Sequence, residues 1–125
     1  MSDRSKFDIY DRSFGFAVRA VNFLEKLPKT TAVMEYSRQL IKSSGSIGAN
    51  LVEADGALTK KDFINKVGIS RREAKESRHW LKLLKAIARL KNQSDEKELD
   101  WLVKKSNELL LILSSIIKNT QRKNS

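Results

Sequence analysis

The side chains in this chain that could do chemistry are few. His79 is the one histidine and cysteine is absent, which excludes disulfides, thiolate metal sites and a cysteine nucleophile. With no second imidazole and with Arg78 beside it, His79 reads as a surface residue rather than a ligand or general base. Glu73 and Glu76 lie about one helical turn apart, as an acid–base pair would, but Arg71, Arg72, Lys75 and Arg78 crowd them and favour ion pairing. Neither G-x-x-x-x-G-K-[ST] nor G-x-G-x-x-G occurs. Gly45-Ser46-Ile47-Gly48 has the G-x-x-G form of a KH loop, but that loop needs a sheet and no strand is evident. The expectation is a non-enzymatic chain with no cofactor and no metal.

The chemistry that remains is charge. The 125 residues carry 25 basic and 15 acidic side chains, net +10. Residues 60–91 hold 11 of the basic and 3 of the acidic ones, net +8, which leaves +2 for everything else. Within that segment Arg71, Lys75, Arg78, Lys82, Lys85 and Arg89 follow one another at steps of 4, 3, 4, 3 and 4. Helical rise makes this a ridge roughly 27 Å long, and like charges so spaced repel by a few tenths of a kcal/mol each. A helix built only for solubility would intersperse acids, as Asp100 can for Lys104. An uncompensated ridge suits backbone phosphates, which bind by counterion release and carry little sequence information. The alternative is a plain solvated face. Trp80 could stack on a base, but Leu83 and Ile87 share its flank and point to packing. A membrane surface is the weaker polyanion, because a surface-lying helix needs its apolar side free for lipid.

The elements that must hold this ridge are helices. Apolar and small residues recur at alternating steps of three and four in four segments. The first has the row Tyr10, Phe14, Ala17, Val21, Leu24 with Phe16, Ala20, Phe23, Leu27 beside it, and Pro28 ends it. The second reads Val33, Ser37, Leu40, Ser44, Ile47, Leu51, Ala54, Leu58, with Thr30 or Thr31 as cap; the third reads Phe63, Val67, Ser70, Ala74, Ser77, Leu81, Leu84, Ala88, with Thr59 and Asp62 at its start. Ser94, followed by Asp95, Glu96 and Glu98, opens a fourth with the row Leu99, Leu102, Ser106, Leu109, Leu113, Ile116. The expected helices are about 9–27, 31–57, 60–91 and 95–119, with a frayed tail from Thr120. Short connections make neighbours antiparallel, so the fold class is all-α: a single-domain, up-down four-helix bundle over residues 1–125. Five glycines and one proline leave too little turn material for an all-β fold.

Two features ask for more than one buried face. Leu109 to Leu113 is apolar around most of a helix, and Ile69, Glu73, Glu76, Trp80, Leu83 and Ile87 line up behind the third core row. The run Ser43 to Asn50 is almost entirely small, and its two glycines cost roughly 1 kcal/mol each against alanine, which close approach by a neighbouring helix would offset. Tyr36, Gln39, Ser43, Ser46, Asn50 and Glu53 form a polar stripe there, read as a structural or subunit-contact device. Met1 to Lys6 lead into no apolar run, and residues 109–117, the greasiest stretch, fall far short of the roughly 20 a bilayer span needs. Asn92-Gln93-Ser94 matches the glycosylation triplet, which is common by chance. The expected location is cytoplasmic.

Several of these pieces, taken in order, resemble the 23S rRNA-intervening sequence family of four-helix-bundle proteins. They are Arg12-Ser13-Phe14, Leu27-Pro28, the run Ser46-Ile47-Gly48-Ala49-Asn50-Leu51-Val52-Glu53-Ala54, Lys60-Lys61-Asp62-Phe63-Ile64, Ile69-Ser70-Arg71-Arg72-Glu73-Ala74-Lys75-Glu76, and Trp80-Leu81. The resemblance implies an antiparallel bundle, often a ring-shaped homopentamer, and no catalytic residues. The accessory variability proteins of diversity-generating retroelements are similar, and they imply nucleic acid and a reverse transcriptase as partners. Ser46, Asn50, Glu53, Glu76 and Trp80 match family positions of architectural or interface character. The expected function is therefore an oligomeric bundle that binds RNA or DNA backbone through Arg71, Lys75, Arg78, Lys82, Lys85 and Arg89. The alternative is a protein-interaction adaptor with no direct nucleic-acid contact.

Overall fold

Four helices form where the apolar period places them, and their ends are set by side-chain chemistry that the period does not carry. The computed structural model describes residues 3–123, with side chains from residue 8 onward. Its helices are α1 (Asp3–Leu24), α2 (Thr31–Asp55), α3 (Lys60–Ile87) and α4 (Gln93–Arg122). Met1, Ser2, Asn124 and Ser125, the ends of the expected domain and of the expected frayed tail, lie outside the described residues.

Caps decide the boundaries. The Thr30 hydroxyl accepts from the Val33 N–H at 3.3 Å, and the Thr59 hydroxyl from the Asp62 N–H at 3.0 Å, satisfying donors that α2 and α3 leave open. α4 begins earlier than expected: Asn92, not Ser94, is its cap, accepting from the Asp95 N–H at 2.8 Å. At the other end it runs on to Arg122, so residues 120–122 are helical, and Thr120 donates to the Ile116 carbonyl. α3 is the main correction. It stops at Ile87, four residues short of the expected 91, with Ala88 extended at φ −76° and ψ 126°. Its length is thus about 42 Å rather than 48 Å. No glycine or proline marks this end. Ala88 and Leu90 still pack on the core from the connecting segment, so the apolar pattern continues where the helix does not.

Neighbours in the chain are neighbours in space. α1 packs on α2, α2 on α3, α3 on α4 and α4 on α1, while α1–α3 and α2–α4 are diagonals, which is the up-down bundle. The core rows of α2, α3 and α4 are buried at Val33, Leu40, Ser44, Ile47, Leu51, Ala54, at Val67, Ser70, Ala74, Ser77, Leu81, Leu84, and at Leu99, Leu102, Ser106, Leu109, Leu113, Ile116. Leu58 departs from its row: it sits past the end of α2 and is 96% exposed. On α1 the two rows exchange roles. Ile9, Phe16, Ala20, Phe23 and Leu27 are buried with Ser13 and Leu24, whereas Tyr10, Ala17 and Val21 are half-buried and Phe14 is exposed.

Small residues let α2 and α3 approach closely. Ser70 on α3 donates to the Ile47 carbonyl of α2 at 2.8 Å, and the Ser43 and Ser77 hydroxyls bond each other at 2.8 Å across the same seam. The other buried serines, Ser13, Ser44 and Ser106, donate to carbonyls three residues back. Among the described residues no buried side-chain nitrogen or oxygen lacks a partner, so the serines give close contact without a desolvation penalty.

Candidate nucleic-acid interface

Five of the six cations in the expected basic row fall on α3, one fewer than the sequence suggested. Arg71, Lys75, Arg78, Lys82 and Lys85 lie on the helix, and Arg89 lies beyond its end, in the segment that leads to α4. The helical part of the ridge is therefore about 21 Å long. It faces the α3/α4 groove. Arg78 donates to the Asn107 carboxamide oxygen at 2.8 Å, and the Lys85 ammonium pairs with Asp100. Lys85 is thus neutralised in part by a carboxylate, although the side chains of both Lys85 and Asp100 stay exposed and the pair is weak in water. Arg71, Lys75 and Lys82 are exposed and have no carboxylate partner among the described residues.

The two links also set the register between the helices. Residue 85 stands opposite 100 and residue 78 opposite 107, seven back on α3 for seven forward on α4. Lys104 and Lys118 fall on the same outer side of α4, with Leu111 midway between them and 59% exposed. By that register they share the side of α4 that carries Asp100 and Asn107. The sequence carried a signal for them, a fourteen-residue spacing, but not the information that this side of α4 meets the ridge of α3.

The polar stripe of α2 and the Glu73/Trp80 row of α3 meet on the opposite flank, in the α2/α3 groove. Tyr36 stacks on Trp80 with ring centroids 5.7 Å apart, and His79 packs edge-on against Trp80 at 4.9 Å. Trp80 is a packing residue here, half-buried on the core. Ser46 donates to the Lys42 carbonyl and Asn50 to the Ser46 carbonyl, so both serve their own helix. Glu53 and Glu76 are exposed. Burial holds the Glu73 carboxyl above the usual carboxylate range, Glu76 pushes the same way, and Arg72 and Lys42 oppose it weakly.

Of the two glycines in α2, close approach explains one. A Cβ on Gly48 would stand 3.3 Å from the Ser13 Oγ and 3.7 Å from Tyr10, both on α1. A Cβ on Gly45 would meet nothing within 4 Å. Gly45 lies on the outward face of α2 with Met34, Ile41 and Val52, all exposed, and Phe14 and Val18 of α1 are exposed beside it. Among the described residues nothing covers these apolar side chains.

A third cluster joins residues 79 positions apart and had no sequence signal. Arg19 of α1 forms a two-pronged pair with Glu98 of α4, at 2.7 and 2.8 Å, and its guanidinium lies 3.5 Å from the centre of the Trp101 ring. The hydrogen bond to Glu98 raises the Arg19 pKa, and the same bond holds the Glu98 carboxyl below its ordinary value. A depressed carboxylate pKa adds stability above the unfolded-state value, and that stability disappears as pH falls through the folded-state value. Because the pair is part-exposed, its worth is about 1 kcal/mol or less. Glu98→Gln should accordingly lower the urea midpoint at pH 7 and make no difference at a pH below the Glu98 titration. An equal gap at both pH values would show that the pair does not act through charge.

Among the described residues no group of three or more histidine, cysteine, aspartate or glutamate side chains is placed to hold a metal ion, and no helix is long and apolar enough to cross a membrane.

Comparison with known proteins agrees with the architecture. No curated protein matches. A solved structure from Bacteroides thetaiotaomicron VPI-5482, described as a protein of unknown function from the S23 ribosomal protein family, superposes with a TM-score of 0.77 at 36% identity, covering 91% of this chain and 98% of that one. The family model for the 23S rRNA-intervening sequence protein matches residues 5–115, which takes in the core rows of α1, α2 and α3, that of α4 as far as Leu113, the ridge and the small-residue run of α2. On that match over most of its length, with the bundle to support it, the chain belongs to the 23S rRNA-intervening sequence protein family.

Proposed function

We propose that this protein is a non-enzymatic, oligomeric bundle that binds the phosphate backbone of nucleic acid through the outer face of α3. The observation that carries this reading is the row of Arg71, Lys75 and Lys82, exposed on one side of a rigid helix and free of carboxylate partners among the described residues, with Arg78 beside them bound only to a neutral amide. Holding like charges in a row is mildly unfavourable, and phosphates relieve it. Lys104 and Lys118 add to the same face.

The uncovered strip of Phe14, Val18, Ile41 and Val52 around Gly45 supports assembly with another protein chain. In a homo-oligomer, such as the pentamer that the family resemblance implies, weak ridges on several subunits would act together. The same strip is what favours the competing adaptor reading, in which it docks a partner such as a reverse transcriptase and the ridge merely aids solubility. Binding to labelled oligonucleotides as a function of salt separates the two. Four ridge cations free of carboxylates predict a log–log slope of about −4 per subunit engaged on duplex, less than the six residues of the sequence ridge would give. A slope near zero would leave the adaptor. Sedimentation of the same sample tests assembly, and a single species of monomer mass would remove that half of the proposal.

A further inference from the structure

The backbone-binding reading leaves open which form of nucleic acid the ridge fits. We infer that it is a double helix rather than an unstacked single strand; this rests on the proposed ridge. Proteins that hold single strands without sequence preference pair a basic groove with aromatic side chains on which successive bases stack. The described aromatic rings of this bundle are committed elsewhere. Tyr36 and Trp80 stack on each other in the α2/α3 groove, Trp101 lies under Arg19 in the α1/α4 groove, and Tyr10 pairs with Phe14 on α1. Phe16 and Phe23 are buried, and Phe63 packs against the core. The α3/α4 face, among the described side chains, presents cations, the Asn107 amide, the Asp100 carboxylate paired with Lys85, and the aliphatic Leu111.

The second argument is rigidity. The ridge is part of a 28-residue helix, and its lower half is pinned to α4 by the Arg78–Asn107 and Lys85–Asp100 links. Its cations recur about every 5 Å over about 21 Å in a straight line. A double helix already holds its phosphates in a fixed lattice and meets such a row without further ordering. A single strand would have to be straightened along it, with its bases left in water, and would lose conformational freedom with nothing gained by stacking. Two helices side by side are also too broad to enter a groove about 12 Å wide, since each is about 10–12 Å across, so contact is with the backbone edges and not the bases.

The test is fluorescence anisotropy at one salt concentration with four labelled probes: a 16-base-pair RNA hairpin, a 16-base-pair DNA duplex, and single strands of oligo-U and oligo-dT of 16 nucleotides. The expected result is at least ten-fold tighter binding of one or both duplexes than of either single strand. The two duplex arms separate an RNA from a DNA preference. Single strands bound as tightly as the duplexes overturn the inference and leave the ridge reading standing, above all if Trp80 and Trp101 emission is quenched in the complex. Absence of binding to all four probes overturns the ridge reading and this inference together.

Discussion

Replacing Arg71, Lys75 and Lys82 together by Gln should abolish most nucleic-acid affinity while the bundle melts where the unaltered protein does. These three ridge positions lie on α3, all are exposed, and none has a carboxylate partner among the described residues. Each phosphate contact on a duplex releases about 0.9 counterion, so removing three should flatten the log–log salt dependence by about 2.7. At about 0.1 M salt that is an affinity loss of roughly a hundred-fold or more. Helicity should be unchanged, because Gln is about as good a helix former as Lys or Arg, and relief of repulsion among neighbouring cations favours the variant slightly. The measurement is a salt titration of oligonucleotide binding beside a thermal melt by circular dichroism. Unchanged affinity with an unchanged melt would place any contact away from α3. The choice of positions matters, because Lys85→Gln would also release Asp100, and Arg78→Gln would release Asn107.

Leu81→Ala should do the reverse. Leu81 is fully buried, next in sequence to Lys82, and part of the core row of α3. Truncating a buried leucine removes its transfer free energy and leaves a cavity that helices pinned by neighbours fill incompletely, a cost of about 2–5 kcal/mol. For a domain of this size that lowers the melting temperature by about 10 °C or more. The ridge on the adjoining flank is untouched, so binding measured well below the melt should retain its salt slope. A melt within about 2 °C of the unaltered protein would mean that this layer repacks, and the description of a tightly filled core would be wrong there. Neighbouring positions 81 and 82 thus report on separate properties, fold and surface, because a helix turns about 100° between them.

Much of this was legible from the sequence. Steps of three and four name the buried face of α2, α3 and α4 whatever partner it meets, and the rows from Val33 to Ala54 (Ser37, half-buried, apart), Val67 to Leu84 and Leu99 to Ile116 are buried as read. The cap of α3 was equally local, a threonine hydroxyl and an N–H three residues on. Elsewhere two local signals competed. At the end of α3 the apolar pattern runs on through Ala88 and Leu90 in a segment that is no longer helical, so the ridge appeared one residue longer than it is. On α1 both rows were apolar, and only packing against α2 and α4 could choose Phe16 and Phe23 over Phe14.

By itself, then, the sequence determined that there are four helices, which stripe of three of them is buried, and that six cations share a spacing. Those are properties of one segment at a time. The tertiary structure alone decided which flank the ridge looks toward, that Asp100 and Asn107 engage two of its members, and that Arg19 reaches Glu98 and Trp101 from the far end of the chain. It decided too that Gly48 has a neighbour and Gly45 has none. The physical reason is one of range. Helix period and capping act over three to seven residues, whereas pairing across a groove depends on how two helices are rotated and slid against each other, and that is settled only when all four pack around one core.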